Sequence, residues 1–542
     1  MSELPKGWAW ANLSEVSFLI NGDRGKNYPS KSAFSESGIP FINAGHLVDG
    51  HIDCSDMNYI TEEHFTLLSN GKIQCNDILY CIRGSLGKIA LVTNIEKGAI
   101  ASSLVIIRPL QKKNSKYLYY FLISPYGKNE ISKYDNGSAQ PNLSATNVGA
   151  YQVPLPPLNE QRRIVAKIEA LRARSQRVKE ALEAIPPLLD QFRQSVLSAA
   201  FRGDLTADWR EKNPDVEPAS VLLEKIRAER RHRWEEAELE KMRASGKVPK
   251  DDRWKTKYEE PSSIEQQDFP YLPDGWYWIK LEELASDIPR SLQSGPFGSN
   301  LLHSEFQNTG ILAIGIDNVL DGSFSLGREN RISSEKYKEL EKYTARPLDV
   351  LITVMSTVGR CCVVPSDIET AIITKHVYRI SPEQEIINSY FMMNALRGSV
   401  EVKSQLKEQV RGQTRPGING QILRNLIIPV PSRIEQEEIL KRIKVQFDKI
   451  NQINTILNDL GVTTSLLDQS ILTKAFRGEL IRQDPNDEPA FVLLERIRAE
   501  RAKLEASAKT PKKSTGKTGG RGRGKAKQQD AESVQLELPG LE

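Results

Sequence analysis

The sequence has few of the features that mark membrane, secreted or metal-binding proteins. No apolar run among its 542 residues approaches the roughly 20 residues of a membrane span. Its opening stretch, MSELPKGWAW, lacks the apolar core of a secretory signal. The five cysteines show no CxxC spacing, and His46, His51 and Cys54 do not have the spacing of a standard zinc site. We therefore expect a cytoplasmic protein with free thiols, no metal ligands and no membrane partner.

Recognisable catalytic motifs are also missing. The NPPY-type and DPPY-type tetrapeptides of adenine methyltransferases are absent, and no glycine-rich loop follows a strand in the Rossmann pattern. The GKT at 516–518 is not a phosphate-binding loop, because Pro511 stands where such a loop needs a glycine. The six histidines lie in irregular contexts, which disfavours a Ser/His/Asp triad. The sequence thus predicts a chain with no catalytic residues and no cofactor of its own.

An excess of positive charge is confined to one segment. The net charge of +4 includes residues 509–527, which carry eight Lys and Arg and no acid, so the remainder of the chain is at −4. This segment is rich in Gly, Lys, Ser and Thr, a composition typical of disorder. It is interpreted either as a nonspecific nucleic-acid contact or as a solubilising tail.

The sequence does contain an internal repeat, in which one unit occurs twice. QSVLSAAFRGDL at 194–205 returns as QSILTKAFRGEL at 469–480, with eight of twelve positions identical. EPASVLLEKIRAER at 217–230 returns at 488–501 with twelve of fourteen identical. The order of the matches is kept throughout, and their offset drifts by only a few residues. The chain is therefore a duplication of a unit of roughly 235 residues.

Each copy begins with a mixed part and continues with a long helix. Short β-branched runs predict strands, among them ILYCI (78–82), KIALV (88–92), SLVIIRPL (103–110) and VLITVM (350–355). KYLYYFLIS (116–124) and NSYFMMNALRG (388–398) predict short helices. We predict two α/β domains, called domain 1 (1–155) and domain 2 (270–431) below.

The long helix that follows each domain carries an apolar seam. Between Ile164 and Val196, ten positions spaced alternately by four and three residues include nine apolar side chains, and the second copy has eight of ten. An apolar period of 3.5 residues over four heptads is the pattern of a coiled coil. Pro186 and Pro187 interrupt the first helix, and Gly461 falls at the same repeat position, so kinks are predicted in both copies.

These motifs together resemble the specificity subunits of type I restriction-modification enzymes. The resemblance rests on PLPPLNEQ (154–161) and PVPSRIEQ (429–436) before each helix, on GPFGSNL (295–301) and on the GWxW entries (7–10 and 275–278), and it covers about 1–505. It implies two target-recognition domains that read double-stranded DNA, each reading one half of a bipartite, asymmetric site. It also implies that two modification subunits bind AdoMet and methylate adenine, and that restriction subunits use ATP and Mg²⁺ to translocate and cut DNA.

The repeat and the resemblance give the following division. The segments are target-recognition domain 1 (1–155), conserved helical region 1 (156–235), a linker (236–269), target-recognition domain 2 (270–431), conserved helical region 2 (432–505) and a basic tail (506–542). The helices are predicted to pair as an antiparallel coiled coil that sets the spacing between the domains and docks the modification subunits.

Candidate DNA contacts are polar and basic residues placed between the predicted strands. Arg suits guanine, and Asn or Gln suits adenine, through paired hydrogen bonds in the major groove. In domain 1 the candidates are Arg24, Lys26, Tyr28, Arg83, Ser85, Lys88, Gln140 and Asn142. In domain 2 they are Arg290, Gln293, Ser294, Ser356, Arg360, Arg411, Gln413, Arg415 and Asn419.

Neither domain is basic as a whole. Domain 1 holds 14 Lys and Arg against 13 Asp and Glu, and domain 2 holds 17 against 18. We therefore expect local clusters of positive charge, with the modification subunits supplying part of the phosphate contact.

The Glu-Gln pair at each helix start has two interpretations. Glu160 and Gln161, like Glu435 and Gln436, follow a proline-containing stretch at the beginning of the long helix. An acid at a helix N-terminus offsets the helix dipole. The alternative is contact with a modification subunit.

Two other classes of protein stay open at this point. One is a self-contained DNA methyltransferase or nuclease, which AdoMet binding by the chain alone would indicate. The other is a coiled-coil scaffold that does not bind DNA, which specific retention of duplex DNA would exclude.

Overall fold

The structure is a computed structural model, and it divides into two compact units. It describes residues 3–111, 114–134, 142–246, 251–258, 260, 264–327, 329–410 and 417–508. Unit 1 comprises residues 1–183 and 458–542, and unit 2 comprises residues 184–457. Each unit therefore contains one α/β domain together with chain from both copies of the repeat.

Domain 1 is built on short strands whose apolar residues are mostly buried. The strands are β1 (Ala9–Asn12), β2 (Ser17–Asn21), β3 (Ile39–Ile42), β4 (Leu47–Val48), β5 (His51–Ile52), β6 (Asn58–Ile60), β7 (Ile78–Cys81), β8 (Ile89–Leu91), β9 (Ala99–Ile100), β10 (Leu104–Pro109) and β11 (Gln152–Leu155). An antiparallel sheet in the order β2-β10-β7-β8 is the largest, and β6-β3-β9 forms a second sheet. The prediction of strands at 78–82, 88–92 and 103–110 is confirmed.

Helices cover these sheets and lead out of the domain. They are α1 (Leu13–Val16), α2 (Glu62–Leu67), α3 (Ser115–Ile123), α4 (Pro125–Tyr134), α5 (Ala145–Gly149) and the long α6 (Leu158–Glu183). Tyr117 and Phe121 of α3 are buried in the main core of this unit, where the phenol of Tyr117 donates to the carbonyl of Pro154 at 2.5 Å.

Unit 2 repeats this architecture after three helices. Those helices are α7 (Ile185–Phe201), α8 (Ala207–Lys212) and α9 (Ala219–Ala244). The strands of domain 2 are β12 (Tyr277–Lys280), β13 (Leu292–Ser294), β14 (Ile311–Ile314), β15 (Val319–Leu320), β16 (Ser323–Phe324), β17 (Asn330–Ile332), β18 (Thr344–Ala345), β19 (Val350–Thr353), β20 (Cys361–Val363), β21 (Ala371–Ile373), β22 (Val377–Ile380) and β23 (Ile427–Val430). The sheet β13-β22-β19-β20 matches β2-β10-β7-β8, and the pair β12-β23 matches β1-β11.

The helices of domain 2 match those of domain 1. They are α10 (Leu281–Leu284), α11 (Ser334–Leu340), α12 (Ser389–Gly398), α13 (Val400–Val410) and α14 (Gly420–Arg424). After β23 the chain forms α15 (Arg433–Phe476) and α16 (Ala490–Ala508). The short helices predicted at 116–124 and 388–398 are both confirmed, as α3 and α12.

The two long helices differ in continuity. The first is interrupted at Ala184, and Pro186 lies in the first turn of α7, where its missing N–H costs no hydrogen bond. The second, α15, is one continuous helix through Gly461. A single glycine lowers helix stability by only about 1 kcal/mol and removes no backbone hydrogen bond, and the kink at Gly461 stays a prediction.

The helix at the end of the first helical region extends beyond the boundary predicted from the sequence. Helix α9 continues to Ala244, nine residues into the segment predicted as a linker from 236, and Trp254 of that segment stacks on Trp234 at a centroid distance of 6.1 Å. The described chain ends at residue 508, so most of the predicted tail lies outside the described residues. All five cysteines are free thiols, and no helix of the described residues is long and apolar enough to cross a membrane.

Each domain packs against the tail of the other copy of the repeat. In unit 1 the ring of Phe476, from the second FRG motif, lies 5.7 Å from that of Phe121. In unit 2 Phe201, from the first FRG motif, lies 5.3 Å from Phe391. The repeated dodecamer is therefore the segment by which one copy completes the core of the other.

The helices that begin at the repeated EPA residues, α16 and α9, also pack on the domain of the other copy. In unit 1 the Ala490 amide donates to the carbonyl of Gly7 at 2.8 Å, and Arg498 of α16 pairs with Glu15 at 2.7 Å. In unit 2 the Ala219 amide donates to Gly275 at 3.1 Å, and Arg227 of α9 pairs with Glu283.

Candidate nucleic-acid interface

Three polar segments of domain 1 leave the same end of its main sheet. At the end of β2, Asn21 pairs with Val105, and at the end of β7, Cys81 pairs with Leu104. Because both partners lie at the start of β10, loops 22–30 and 82–88 emerge at one edge. The segment 142–144 joins them, since the Leu143 amide donates to the Ile82 carbonyl at 2.8 Å. We call these three segments polar edge 1.

Most of the candidate residues of domain 1 lie on polar edge 1 with exposed side chains. The structure places Arg24, Lys26, Tyr28, Arg83, Ser85, Lys88 and Asn142 there, all exposed. Arg83 and Asn142 are in contact, with Nε donating to Oδ1 at 3.3 Å. Gln140 lies outside the described residues.

Buried groups hold the two main loops of this edge in place. Asp23 is 8% exposed, and its carboxylate accepts from the amides of Gly25 and Ser69 at 2.8 Å each. Tyr28 packs edge-on against Phe41 at 5.7 Å. In the second loop, Gly84 and Gly87 adopt φ of +79° and +78°, a conformation that other residues adopt at a cost. The basic side chains thus project from an ordered backbone.

Domain 2 has the same edge. Ser294 ends β13 opposite Tyr378, and Thr353 ends β19 opposite Val377, so loops 295–302 and 354–360 emerge together at the start of β22. The Ile418 amide donates to the Val354 carbonyl at 2.9 Å, which adds the segment 417–419. These three segments form polar edge 2.

The structure sorts the candidate residues of domain 2 into four groups. Ser356, Arg360 and Asn419 are exposed on polar edge 2, although the side chain of Asn419 also caps α14 by accepting from the Ile422 amide at 2.9 Å. Gln293 and Ser294 lie in β13 rather than in a loop, and both are half-buried. Arg290 precedes β13, at the opposite end of the sheet. Arg411, Gln413 and Arg415 lie outside the described residues.

The placement of Gln293 and Ser294 in β13 therefore corrects the sequence interpretation, whereas Arg290 lies in an exposed turn as predicted. Gln293 is opposite Arg379 in the sheet, and its side-chain amide donates to the Ser294 carbonyl at 2.8 Å. The prediction of a loop failed because LQS is a short strand without the apolar alternation that would reveal it.

Two exposed residues of polar edge 2 and one beside it were missed. Phe297 and Asn300 are exposed in the GPFGSNL loop, and Lys375 is exposed between β21 and β22, at the same end of the sheet. Phe297 is 59% exposed, which is unusual for a large apolar side chain and gives the edge an aromatic surface. The signal that could have identified Phe297 is the position of its loop directly after β13, which matches the position of the Arg24 loop after β2.

Burial and charge act together on His376, a histidine beside polar edge 2. Partial burial lowers the pKa of His376, and the neighbouring Lys375 ammonium lowers it further. Both effects favour the neutral imidazole. Within the described part of the chain, no group of three or more His, Cys, Asp or Glu side chains is placed to hold a metal ion.

The chain resembles known proteins in sequence and in fold. Residues 5–185 and 313–460 match the family model of the type I restriction modification DNA specificity domain. The chain belongs to this family. It is 26% identical over 506 residues to the type I restriction enzyme EcoBI specificity subunit of Escherichia coli, covering 91% of this chain and 92% of that one.

A second specificity subunit and a solved structure also match most of the length of this chain. The EcoKI specificity subunit of Escherichia coli K12 is 24% identical over 543 residues, which span 94% of this chain and 99% of the relative. A chain from a solved type I R-M system superimposes with a TM-score of 0.58 at 20% identity, covering 89% of this chain and all of the other. At this identity the superposition shows the fold.

The Glu-Gln pair of this specificity-domain protein is buried in both copies. Glu160 and Gln161 are each 1% exposed, Glu435 is 3% exposed and Gln436 is 0% exposed. The indole of Trp8 donates to Glu160 at 3.2 Å, and that of Trp276 donates to Glu435 at 3.0 Å. The first Trp of each GWxW motif is thus the partner of the Glu in each EQ motif.

The two glutamines anchor the backbone at the same place. The amide nitrogen of Gln161 donates to the Pro156 carbonyl at 2.9 Å, and that of Gln436 donates to Pro431 at 3.1 Å. Gln436 also accepts from the Asn388 amide at 2.8 Å. This burial argues against the predicted contact of the four residues with a modification subunit and gives them an internal structural role.

The environments of the two glutamates differ in charge. Glu435 also accepts from Thr206 at 2.7 Å and from the guanidinium of Arg210 at 2.6 Å. No such cation donates to Glu160 among the described residues. Burial raises the pKa of Glu160, although the Trp8 hydrogen bond and the charge of Arg163 oppose the shift.

Proposed function

We propose that the chain is the DNA sequence-specificity subunit of a type I restriction-modification complex. Domain 1 reads one half of a bipartite, asymmetric site and domain 2 reads the other. The observation that carries this proposal is the recurrence of one exposed polar edge, gathered at one end of the main sheet, in two domains of different sequence. Family membership makes DNA the natural ligand, and Arg, Lys, Asn and Ser side chains suit the edges of bases.

The long helices are proposed to form an antiparallel coiled coil that fixes the distance between the half-sites. Support comes from contacts within each unit. In unit 1, Lys179 of α6 pairs with Asp468 of α15, and Arg163, nearer the start of α6, pairs with Asp487, which lies beyond the end of α15, both at 2.6 Å. This order of contacts is the one expected of an antiparallel pair. In unit 2, the guanidinium of Arg193 lies 5.5 Å from the Phe447 ring.

The same helices are proposed to dock two modification subunits. Six large apolar side chains that lie on α7 and α15 outside the coiled-coil seam are between 47% and 62% exposed, which is a typical property of protein-binding surfaces. They are Leu188, Ile434, Val445, Ile456, Val462 and Leu466.

The chemistry is proposed to belong to the other subunits. The modification subunits would bind AdoMet and methylate adenine, and restriction subunits would use ATP and Mg²⁺. The chain itself would be non-catalytic and act in the cytoplasm. The absence of methyltransferase and nucleotide-binding motifs from the sequence supports this division of labour.

The test is methylation with and without a modification subunit. The chain and a modification subunit are co-expressed in a host without other adenine methylation, and methylated adenines are mapped in its DNA. The expected result is one sequence of two defined parts separated by unspecified bases. The chain purified alone should neither methylate DNA nor bind AdoMet, and activity of that preparation would instead support a self-contained enzyme.

A further inference from the structure

Domain 2 has a groove beside polar edge 2 that sequence analysis did not identify. It encloses about 1050 Å³ between α12, α13, the loop 354–360 and α7 of the same unit. Its charged lining residues are Arg360, Arg397, Lys403, Lys407, Asp321 and Glu408. Four cations thus face two carboxylates.

The most buried of these cations is Arg397. It is 7% exposed, and its only ion pair with a described residue is a 3.3 Å approach of Nε to Asp321, a carboxylate that is itself 49% exposed. Its Nε makes no hydrogen bond within the described chain. Taking a guanidinium out of water is costly unless its charge and donors are satisfied, so this arrangement favours an additional anion.

The backbone is shaped to admit this guanidinium. Gly322 has φ of +92°, and a Cβ at that position would lie 1.6 Å from Nη1 of Arg397. Glycine is therefore required for the close approach, which fixes the guanidinium at the base of the groove.

The lysines bring further positive charge to the same opening. Nζ of Lys403 donates to the Gln194 side chain at 2.5 Å, and Lys407 makes no ion pair with any described residue. Partial desolvation lowers the pKa of Lys403, and the charge of Arg397 lowers it further against the opposing effect of Asp321. An anion between these groups would relieve their mutual repulsion.

Domain 1 has no arginine at the position of Arg397. Leu122 and Ile123, at the end of α3, match the end of α12 where Arg397 lies, and both are apolar. Lys128 is retained at the position of Lys403, and Ser132 replaces Lys407. Gly50 matches Gly322, but a Cβ there would meet the hydroxyl of Tyr119 instead of a guanidinium. The cluster of four cations is thus a property of one domain rather than of the repeated fold.

We propose that this groove binds a phosphate of the DNA backbone next to the half-site that domain 2 reads. The inference rests on the proposed function and adds to it a functional asymmetry between the two domains. A phosphate contact contributes affinity without base preference and releases counterions on binding. The half-site of domain 2 should therefore be held with a steeper salt dependence than the half-site of domain 1.

The test uses the complex with modification subunits and a duplex that carries its methylated sequence. The variants are Lys403→Gln/Lys407→Gln, Arg397→Leu, which installs an apolar residue as at the end of α3 in domain 1, and the matched control Lys128→Gln. Binding is measured across salt concentrations, and melting temperatures confirm folding. We expect the double variant and Arg397→Leu each to reduce the slope of log affinity against log salt by about one to two, with the methylated sequence unchanged. Lys128→Gln should keep the slope of the unmodified complex.

Two outcomes would overturn the inference. One is an unchanged slope in both groove variants, or an equal loss of slope in Lys128→Gln. The other is that inorganic phosphate raises the melting temperature of the DNA-free complex, and Arg397→Leu abolishes this effect, while the slope for DNA is unaltered. The groove would then hold a free anion. Methylation by the unmodified complex is read in the same samples, so failure of the proposed function would be seen separately.

Discussion

The hydrogen bond from a tryptophan indole to a buried glutamate fixes the start of each long helix. Because Trp8 and Glu160 are 152 residues apart, this contact joins the first strand of domain 1 to the helix that leaves it. Trp276 and Glu435 do the same in domain 2. The two copies differ in one respect, since only Glu435 also accepts from an arginine, Arg210.

This difference predicts unequal effects of the same substitution. Glu435→Gln leaves the partly buried guanidinium of Arg210 without its charge partner and should lower the free energy of unfolding by about 3 kcal/mol. Glu160→Gln keeps an oxygen for Trp8 and should cost under about 1 kcal/mol at pH 7. Urea denaturation measures both, with Glu437→Gln, exposed on the same helix as Glu435, as the control. Equal losses in the two variants would contradict this account.

The pH dependence of Glu160→Gln follows from its environment. Burial raises the pKa of Glu160 above its usual value of 4.5, so ionisation is penalised in the folded protein. The stability of the unsubstituted protein therefore falls as pH rises through the interval between those two values. Relative to the unsubstituted protein, Glu160→Gln should gain stability as pH is raised through this window and lose that gain as pH is lowered again. The opposite trend in urea midpoints would show that the carboxylate is stabilised when charged.

Ser356 gives a residue-scale test of DNA contact. It has φ of +63° at the position where domain 1 has Gly84, a conformation that costs a serine about 1–2 kcal/mol. Ser356→Gly should therefore keep or increase stability while weakening recognition of one half-site. Melting temperature and methylation rate measure the two effects. An unchanged methylation rate would assign Ser356 to the loop alone, and Gly84→Ser is the reciprocal variant.

At the scale of elements, the sequence predicted what periodicity and repetition encode. The main strands, α3, α12 and the long helices follow from apolar patterns that survive in short windows. Gln293 and Ser294 were assigned to a loop because a three-residue strand carries no periodic signal. Phe297 was missed because the choice of candidates followed hydrogen-bonding residues rather than the place where a strand ends.

The helices allow a quantitative test of the spacing. A heptad inserted at Ala184 and another at Gly461 keep the apolar seam in phase and add about 10 Å at ~1.5 Å per residue. At ~3.4 Å per base pair along a strand, the unspecified spacer should lengthen by about three base pairs, or less if the DNA bends. Methylation mapping measures the spacer. A two-residue insertion is the control and should prevent assembly, whereas an active heptad variant with an unchanged spacer would show that the helices do not set the distance.

At the scale of the whole molecule, the tail of each copy completes the domain of the other. Sequence showed that FRGDL and EPA segments are repeated, but not which domain they contact, because a repeat is equally compatible with packing on either copy. Phe201 against Phe391, and Phe476 against Phe121, answer that question within each unit. The duplicated segments therefore contribute to the cores of the two domains.

The basic segment 509–527 is expected to affect DNA affinity without affecting which sequence is recognised. Deleting residues 509–542 should leave the methylated sequence intact, because a Lys- and Arg-rich segment without base-specific geometry can add only phosphate contacts. The slope of log affinity against log salt should become smaller. A shorter deletion of 528–542, which retains the eight basic residues of 509–527, is the control and should keep the slope. A changed methylated sequence would contradict the assignment.

Exchange of a whole domain tests the modular arrangement. Replacing 277–431 with the corresponding domain of another specificity subunit should change the half-site read by domain 2 and leave the other half-site and the spacer unchanged. The exchange must respect the packing of unit 2, because Phe201 contacts Phe391 and Arg227 pairs with Glu283. A donor domain that lacks an aromatic residue at 391 and an acid at 283 should fold poorly, and restoring those two side chains should recover methylation. If a well-folded exchange altered both half-sites, the two domains would not read DNA independently, and the duplication would need another explanation.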